Sequence, residues 1–203
     1  MFVLDRVVSD NAMISIYPIG DELYAFAEAP FIHQIDPVTL ETTGRVNNHK
    51  NVYSLHCWVD SLTNCFMLKE NLKEKVNLMN QSSHPHVTNN GVYHLGQTIG
   101  AKGPFYVIVH YPPPLKEPNE SIQSNPSIEK ACVISRIPCR SRKEPSYMHS
   151  FSITESYFVL IEQPLSVSLK AVLGSMLMGK PLVNALKWRP RMVTFFSIFQ
   201  KCN

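Results

Sequence analysis

Short β-forming runs, each cut off by a glycine, proline or Asp/Asn turn, recur along most of this chain and leave little room for any helical fold. Met13–Pro18 meets a Gly20-Asp21 turn; Leu23–Ala27 and Phe31–Ile35 follow, and Asp36-Pro37 closes the unit. The same grammar returns as His84–Thr88, the turn Asn89-Asn90-Gly91 and Val92–Leu95, with Phe105–Tyr111 and Ala131–Ile137 beyond. It returns again as His149–Ile153, Thr154-Glu155-Ser156 and Tyr157–Glu162. Runs this short, punctuated this often, predict antiparallel strands, because a helix needs a longer uninterrupted apolar period. A repeated unit of strand, tight turn and hydrophobic return strand points to a β-propeller. A β-sandwich also fits, since alternation alone does not separate the two.

Two segments break the pattern. Tyr111–Pro126 carries Pro112, Pro113 and Pro114 and polar filler, and reads as a surface loop. Leu169–Leu186 clusters Ala171, Val172, Leu173, Met176, Leu177 and Met178 among Lys170, Lys180 and Lys187. This predicts one or two short amphipathic helices broken near Gly179-Lys180-Pro181. Such a helix packs on its own domain or presents a basic-flanked apolar surface to a membrane interface.

Composition narrows the class. Hydrophobic residues make up 44% and charged residues 17%, which excludes a solvated disordered chain and implies an apolar surface. The net charge of +3 is small and its basic residues are scattered, so no stripe follows a phosphate backbone and nucleic acid is not an expected partner. Cys57, Cys65, Cys132, Cys139 and Cys202 form no CxxC pair and read as free thiols of a reducing compartment. Met1–Asp10 has no continuous apolar stretch of a secretory leader, and no run reaches the ~18 to 20 apolar residues of a membrane span. The expected setting is the cytoplasm, with contact to a membrane surface.

Of the eight histidines, His33, His56, His94 and His110 sit where a hydrogen-bonded core or surface imidazole is usual. His84 and His149 differ, because each begins the first strand of a repeat unit. Neutral imidazole is the commonest ligand for mid-series transition metals, and strands from separate propeller blades converge on one axis. A spacing of a whole blade therefore suits a shared metal. His86 lies two residues beyond His84, with Pro85 distorting the geometry between them. Glu28 ends the apolar run Tyr24-Ala25-Phe26-Ala27, where a carboxylate is costly unless paired. Its partner would be the free ring N–H of a metal-bound histidine, or it simply faces water at a strand end.

These residues sit in long motifs that resemble one family. Asn11-Ala12-Met13-Ile14-Ser15-Ile16-Tyr17 through Ile35-Asp36-Pro37-Val38-Thr39-Leu40-Glu41-Thr42 is similar to an early blade of the carotenoid cleavage oxygenases. Ser83-His84-Pro85-His86-Val87 with Gly91-Val92-Tyr93-His94-Leu95-Gly96 resembles the family's first histidine motif. Pro145-Ser146-Tyr147-Met148-His149-Ser150-Phe151 with Tyr157-Phe158-Val159-Leu160-Ile161-Glu162-Gln163-Pro164-Leu165 resembles its second. The wording is nearest to animal β-carotene oxygenases and insect carotenoid isomerooxygenases, with the retinoid isomerases of the retinal pigment epithelium also similar.

The resemblance implies an all-β fold: part of a seven-bladed propeller, about two to three blades, with a short C-terminal helical segment. It implies iron(II) on the axis held by four histidines, of which His84 and His149 match the first two, and Glu28 as the carboxylate partnering His149. It implies oxidative cleavage of a conjugated double bond of a carotenoid or retinoid by dioxygen, giving apocarotenals or retinal. Leu169, Val172, Leu173, Met176 and Leu177 fall in the apolar patch that takes lipophilic substrate from a peripheral membrane surface.

The chain also departs from the pattern. The match covers about the middle third of a family member within a single partial propeller domain, 1–203, and the pattern fades over 189–203. No histidine follows His149, so the third and fourth ligand motifs are absent. Ser152 stands where the family usually has glycine. Residues 48–75, with Cys57, Trp58, Cys65 and the charged run Lys69–Lys75, lack family character and separate Arg45-Val46-Asn47 from Val76-Asn77-Leu78. They read as a retained intron or a misplaced exon boundary. Besides the enzyme, two further readings follow: a catalytically inactive carotenoid- or retinoid-binding fragment, and a propeller interaction module with incidental histidines. Sequencing the transcript across 48–75 is expected to show a mature message without that stretch; its full retention in abundant message refutes the insertion.

Overall fold

The computed structural model describes residues 12–29, 31–47, 78–100, 102–113 and 127–201. The suspected insertion at 48–75 and most of the proline loop lie outside the described residues.

The first sheet is an antiparallel meander of β1 (Ser15–Ile19), β2 (Glu22–Phe26), β3 (Phe31–Ile35) and β4 (Thr42–Asn47). Gly20, at φ 65°, makes the tight turn that the Gly20-Asp21 pair predicts. The second sheet runs in the order β5 (Asn80–Gln81), β7 (Gly91–Gly100), β8 (Gly103–Tyr111) and β9 (Cys132–Pro138), and β6 (His86–Thr88) also pairs with β7. Its hairpin requires Gly91: φ is 112°, and a Cβ there would sit 2.2 Å from the Tyr111 carbonyl oxygen. The third sheet joins β10 (Phe151–Ile153), β11 (Tyr157–Glu162) and β14 (Phe195–Gln200), while β12 (Leu165–Val167) and β13 (Leu186–Trp188) form a separate ribbon.

The β7–β8 pair is buried on both faces, which explains the near-continuous apolar run Phe105–Tyr111. Alternate residues divide between two cores. Val92, Val107, Val109 and Tyr111 pack with Tyr24, Phe26 and Ile32 of the first sheet. Leu95, Tyr106 and Ile108 pack with Phe151, Phe158 and Leu160 of the third. The middle sheet is therefore covered on both faces, giving three stacked layers where a sandwich has two. Among the described residues the sheets do not close into a ring.

The helical segment lies where its periodicity placed it. Ser168 caps α1 (Leu169–Met178), its side chain accepting from the Ala171 amide, and Gly179 ends the helix in the left-handed conformation at φ 62°. A 3-10 turn, Leu182–Ala185, leads into β13. Five strands have no counterpart in the sequence reading, among them β5, of two residues. β12 and β13 are three residues each, too short for a period to show. β4 contains Gly44 and polar residues, and β14 is the run Phe195-Phe196-Ser197-Ile198-Phe199-Gln200 within 189–203.

His94 is fully buried on β7, its Nε2–H donating to the Ser82 carbonyl and its ring edge-on to Phe26. Burial holds its pKa down at about 4, opposed only in part by the Ser82 bond. Because the folded value lies below the unfolded one, the unfolded chain takes up the extra proton as pH falls. The stability owed to neutral His94 is complete above pH ~6.5 and is lost as pH drops towards 4, by about 3 kcal/mol at 1.36 kcal/mol per pKa unit. Urea unfolding as a function of pH is expected to show this loss, and His94→Gln to flatten that part of the profile.

Candidate metal centre

One residue from each layer converges on a single point: Glu28 from the connection after β2, His84 before β6 and His149 before β10. The histidines do not begin their strands, as the repeat pattern suggested; each lies two residues upstream. Pro85 has no N–H to give to a ladder, so β6 starts only at His86. On the other side, β10 pairing starts with Phe151 opposite Leu160. Both imidazoles are thereby free of the sheet and can turn inward.

The Nε2 atoms of His84 and His149 are 3.0 Å apart, with ring centroids at 4.5 Å. Behind His149, Nδ1 makes a short contact with Glu28 Oε1, and the other carboxylate oxygen of Glu28 accepts from the Tyr147 hydroxyl. A carboxylate can only accept, so the His149 proton sits on Nδ1 and the Nε2 lone pair faces His84. Burial, and then the adjacent Glu28 carboxylate, push the Tyr147 phenol well above its ordinary pKa, so it remains a donor. Tyr147 was not singled out in the sequence. Its position two residues before His149, on the same side of an extended segment, was the available signal.

This donor set fits an ion partway. Two nitrogens each about 2.1 Å from one metal, in adjacent positions, stand about 3.0 Å apart, the separation seen here. A direct hydrogen bond of that length requires the His84 proton on Nε2; with the proton on Nδ1, His84 turns a second lone pair to the same point. Among the described residues no group of three or more His, Cys, Asp or Glu side chains completes the set. His149 is open, with 54% of its side chain exposed, whereas Glu28 is at 21%.

Among the described residues the remaining histidines do not join. His86 Nε2 lies 2.8 Å from the Phe151 carbonyl oxygen, His110 Nε2 is 2.7 Å from that of Asn90, and His94 is in the core. A cavity of about 270 Å³, largely apolar, adjoins the site and is lined by Glu28 and Tyr147 together with Leu169, Val172, Leu182 and Leu186. The five apolar residues expected as one patch therefore divide. Leu169 and Val172 line the cavity, Leu173 and Leu177 are exposed, and Met176 is intermediate. Helix α1 buries Ser175 while Leu173, Leu177 and Met178 face out, the reverse of an ordinary surface helix. No helix among the described residues is long and apolar enough to cross a membrane.

Stacked antiparallel sheets carrying a carboxylate-backed imidazole pair define a β-protein of the fold found in an apocarotenoid oxygenase mutant from Synechocystis. The two superpose with a TM-score of 0.57 at 13% identity, over 98% of this chain and 34% of the other. The chain belongs to the retinal pigment epithelial membrane protein (RPE65) family of carotenoid oxygenases, whose model matches residues 3–203. It is 39% identical to a carotenoid isomerooxygenase of Galleria mellonella, over 99% of this chain and 33% of that protein. It is 33% identical to a β,β-carotene 15,15'-dioxygenase of Gallus gallus, over 93% of this chain and 31% of that protein. The chain thus spans about a third of the length of these relatives.

The Glu28 contact has a direct readout. Nitrogen-15 NMR of the histidine rings at pH ~8, where free imidazole is neutral, is expected to show His149 as the Nδ1–H tautomer. Glu28→Ala is expected to move it to the Nε2–H form; an unchanged tautomer refutes the pairing.

Proposed function

We propose that this chain supplies part of the catalytic centre of a non-haem iron(II) dioxygenase that cleaves a conjugated double bond of a carotenoid, giving apocarotenals or retinal. The reading rests on one observation above others. In a member of this family, His84 and His149 meet through their Nε2 atoms at 3.0 Å with Glu28 directly behind His149.

In this reading His84 and His149 are the iron ligands. Glu28 keeps the His149 proton on Nδ1, which orients the ring and raises its basicity, and Tyr147 holds the second carboxylate oxygen of Glu28 in place. Iron(II) held by neutral nitrogens would supply the activation of dioxygen. The apolar cavity receives the polyene and keeps water away from it, with Leu169 and Val172 forming part of the wall. Leu173, Met176 and Leu177 lie on the side of α1 that meets a peripheral membrane surface on the cytoplasmic side, where lipophilic substrate resides. The stacked sheets are two to three blades of a seven-bladed propeller.

A second reading is a carotenoid- or retinoid-binding chain without catalysis. The observation favouring it is that two histidines converge among the described residues, and iron with two protein nitrogens is under-coordinated. Expression of the longest transcript of the gene in β-carotene-accumulating bacteria decides between them. Bleaching, with labelled aldehydes under oxygen-18 gas, is expected, and loss of both in His84→Ala and in His149→Ala; retained colour with bound carotenoid favours the binder. The 203-residue chain alone is expected to hold iron below one equivalent and to cleave no β-carotene; one bound iron with apocarotenal formation refutes this.

A further inference from the structure

Nothing in the ladders of the second and third sheets dictates how far His84 lies from His149, because both residues precede their strands. Two side chains connect the segments: the His86 ring bonds the Phe151 carbonyl on the strand side at 2.8 Å, and Ser82 bridges the stretches that bear the histidines themselves. The hydroxyl of Ser82, a residue with no exposed surface, accepts from the His84 backbone N–H at 3.0 Å and donates to the His149 carbonyl oxygen at 2.5 Å. Neither direction is open to choice. A backbone N–H only donates and a carbonyl only accepts, so the hydroxyl's proton must point to His149 and a lone pair to His84.

Ser82 is itself anchored to the middle strand of the core. Its N–H donates to the Leu95 carbonyl at 2.8 Å, and its own carbonyl accepts from the buried His94 ring. The adjacent Ser83 carbonyl accepts from the Ser15 hydroxyl of β1, which ties the same loop to the first sheet. The segment bearing His149 is held to the same strand, β7, and to its own sheet. Gln97 Nε2 donates to the Ser146 carbonyl at 3.0 Å, and Gln163 Nε2 to that of Tyr147 at 3.2 Å. Two loops resting on β7 thus meet, at the histidines, through one buried hydroxyl.

We propose that Ser82 is a positioning residue whose hydroxyl sets the separation of the His84 and His149 rings. The distance claim stands on these hydrogen bonds; only its consequence for metal affinity rests on the iron reading. Ser82→Ala leaves a backbone N–H and a carbonyl without their shared partner, and the direct link between the stretches bearing His84 and His149 is lost while the His86–Phe151 link remains. Ser82→Thr keeps the hydroxyl.

The test is metal-free NMR of the folded chain, following the cross-peak between the ring protons of His84 and His149. The His86–Phe151 ring contact, with centroids at 4.6 Å, serves as an internal control because it joins the same two sheets without Ser82. Wild type and Ser82→Thr are expected to show both contacts. Ser82→Ala is expected to lose the His84–His149 peak and keep the control. Retention of the peak in Ser82→Ala overturns the proposal, and so does loss of both contacts together, which marks a merely structural serine. Cobalt(II) titration is the second arm. Affinity is expected to fall 10- to 100-fold in Ser82→Ala, the usual cost of losing an outer support of a ligand, and to return in Ser82→Thr. If cobalt(II) binds none of the three chains the affinity consequence is overturned, while the cross-peak still decides the role of Ser82.

Discussion

Burial of the β7–β8 pair on both faces is the constraint on which the other features rest. A sheet covered on one side could leave its loops free in solvent. Covered on two, it fixes the position of a sheet on either flank. Stacked sheets lie about 10 Å apart, so two side chains extending from loops at the same end of neighbouring sheets can meet across the gap. Glu28, His84 and His149 do this, one from each layer. The apolar cores set the layers, and the layers bring polar groups together that no local sequence relation connects.

The polar groups then hold one another in place. Ser146, Tyr147 and His149 have their carbonyls taken by Gln97 and Tyr106, by Gln163 and by Ser82 respectively. Tyr106 also lies 3.2 Å from the buried Glu162 carboxylate, beneath the same segment. Buried polar groups of this kind cost several kcal/mol when unpaired, so a satisfied network permits essentially one conformation of the loop. His149 itself is exposed, and its orientation comes from Glu28 and Tyr147 behind it. Rigid support beneath an open imidazole is what a ligand position needs, because the ring must be held without being enclosed.

Helix α1 carries the same logic to the surface. Its cap residues stop it after ten residues, and it turns Ser175 inward and leucines outward. Leu169 and Val172 belong to the cavity that contains Glu28 and Tyr147, so the helix borders both the outside and the site. An apolar cavity thus lies between a helix with exposed leucines and the carboxylate-backed histidine pair.

Much of this was legible without coordinates. The turn residues Gly20, Gly91 and Gly179 located hairpins and a helix end, because only glycine takes those backbone angles easily. The runs Phe105–Tyr111 and Tyr157–Glu162 declared themselves as strands, and the long motifs around His84 and His149 pointed to the family and to Glu28. Strands β12 and β13 were invisible because three residues carry no period. Tyr147 and Ser82 were missed because a hydroxyl's value depends on what lies across a gap of dozens of residues. Sequence by itself determined the strands, the turns and which side chains had the chemistry to bind. Only the tertiary structure decided that His84, His149 and Glu28 meet, since hydrophobic burial of the middle sheet, acting without regard to distance along the chain, selected which loops became neighbours.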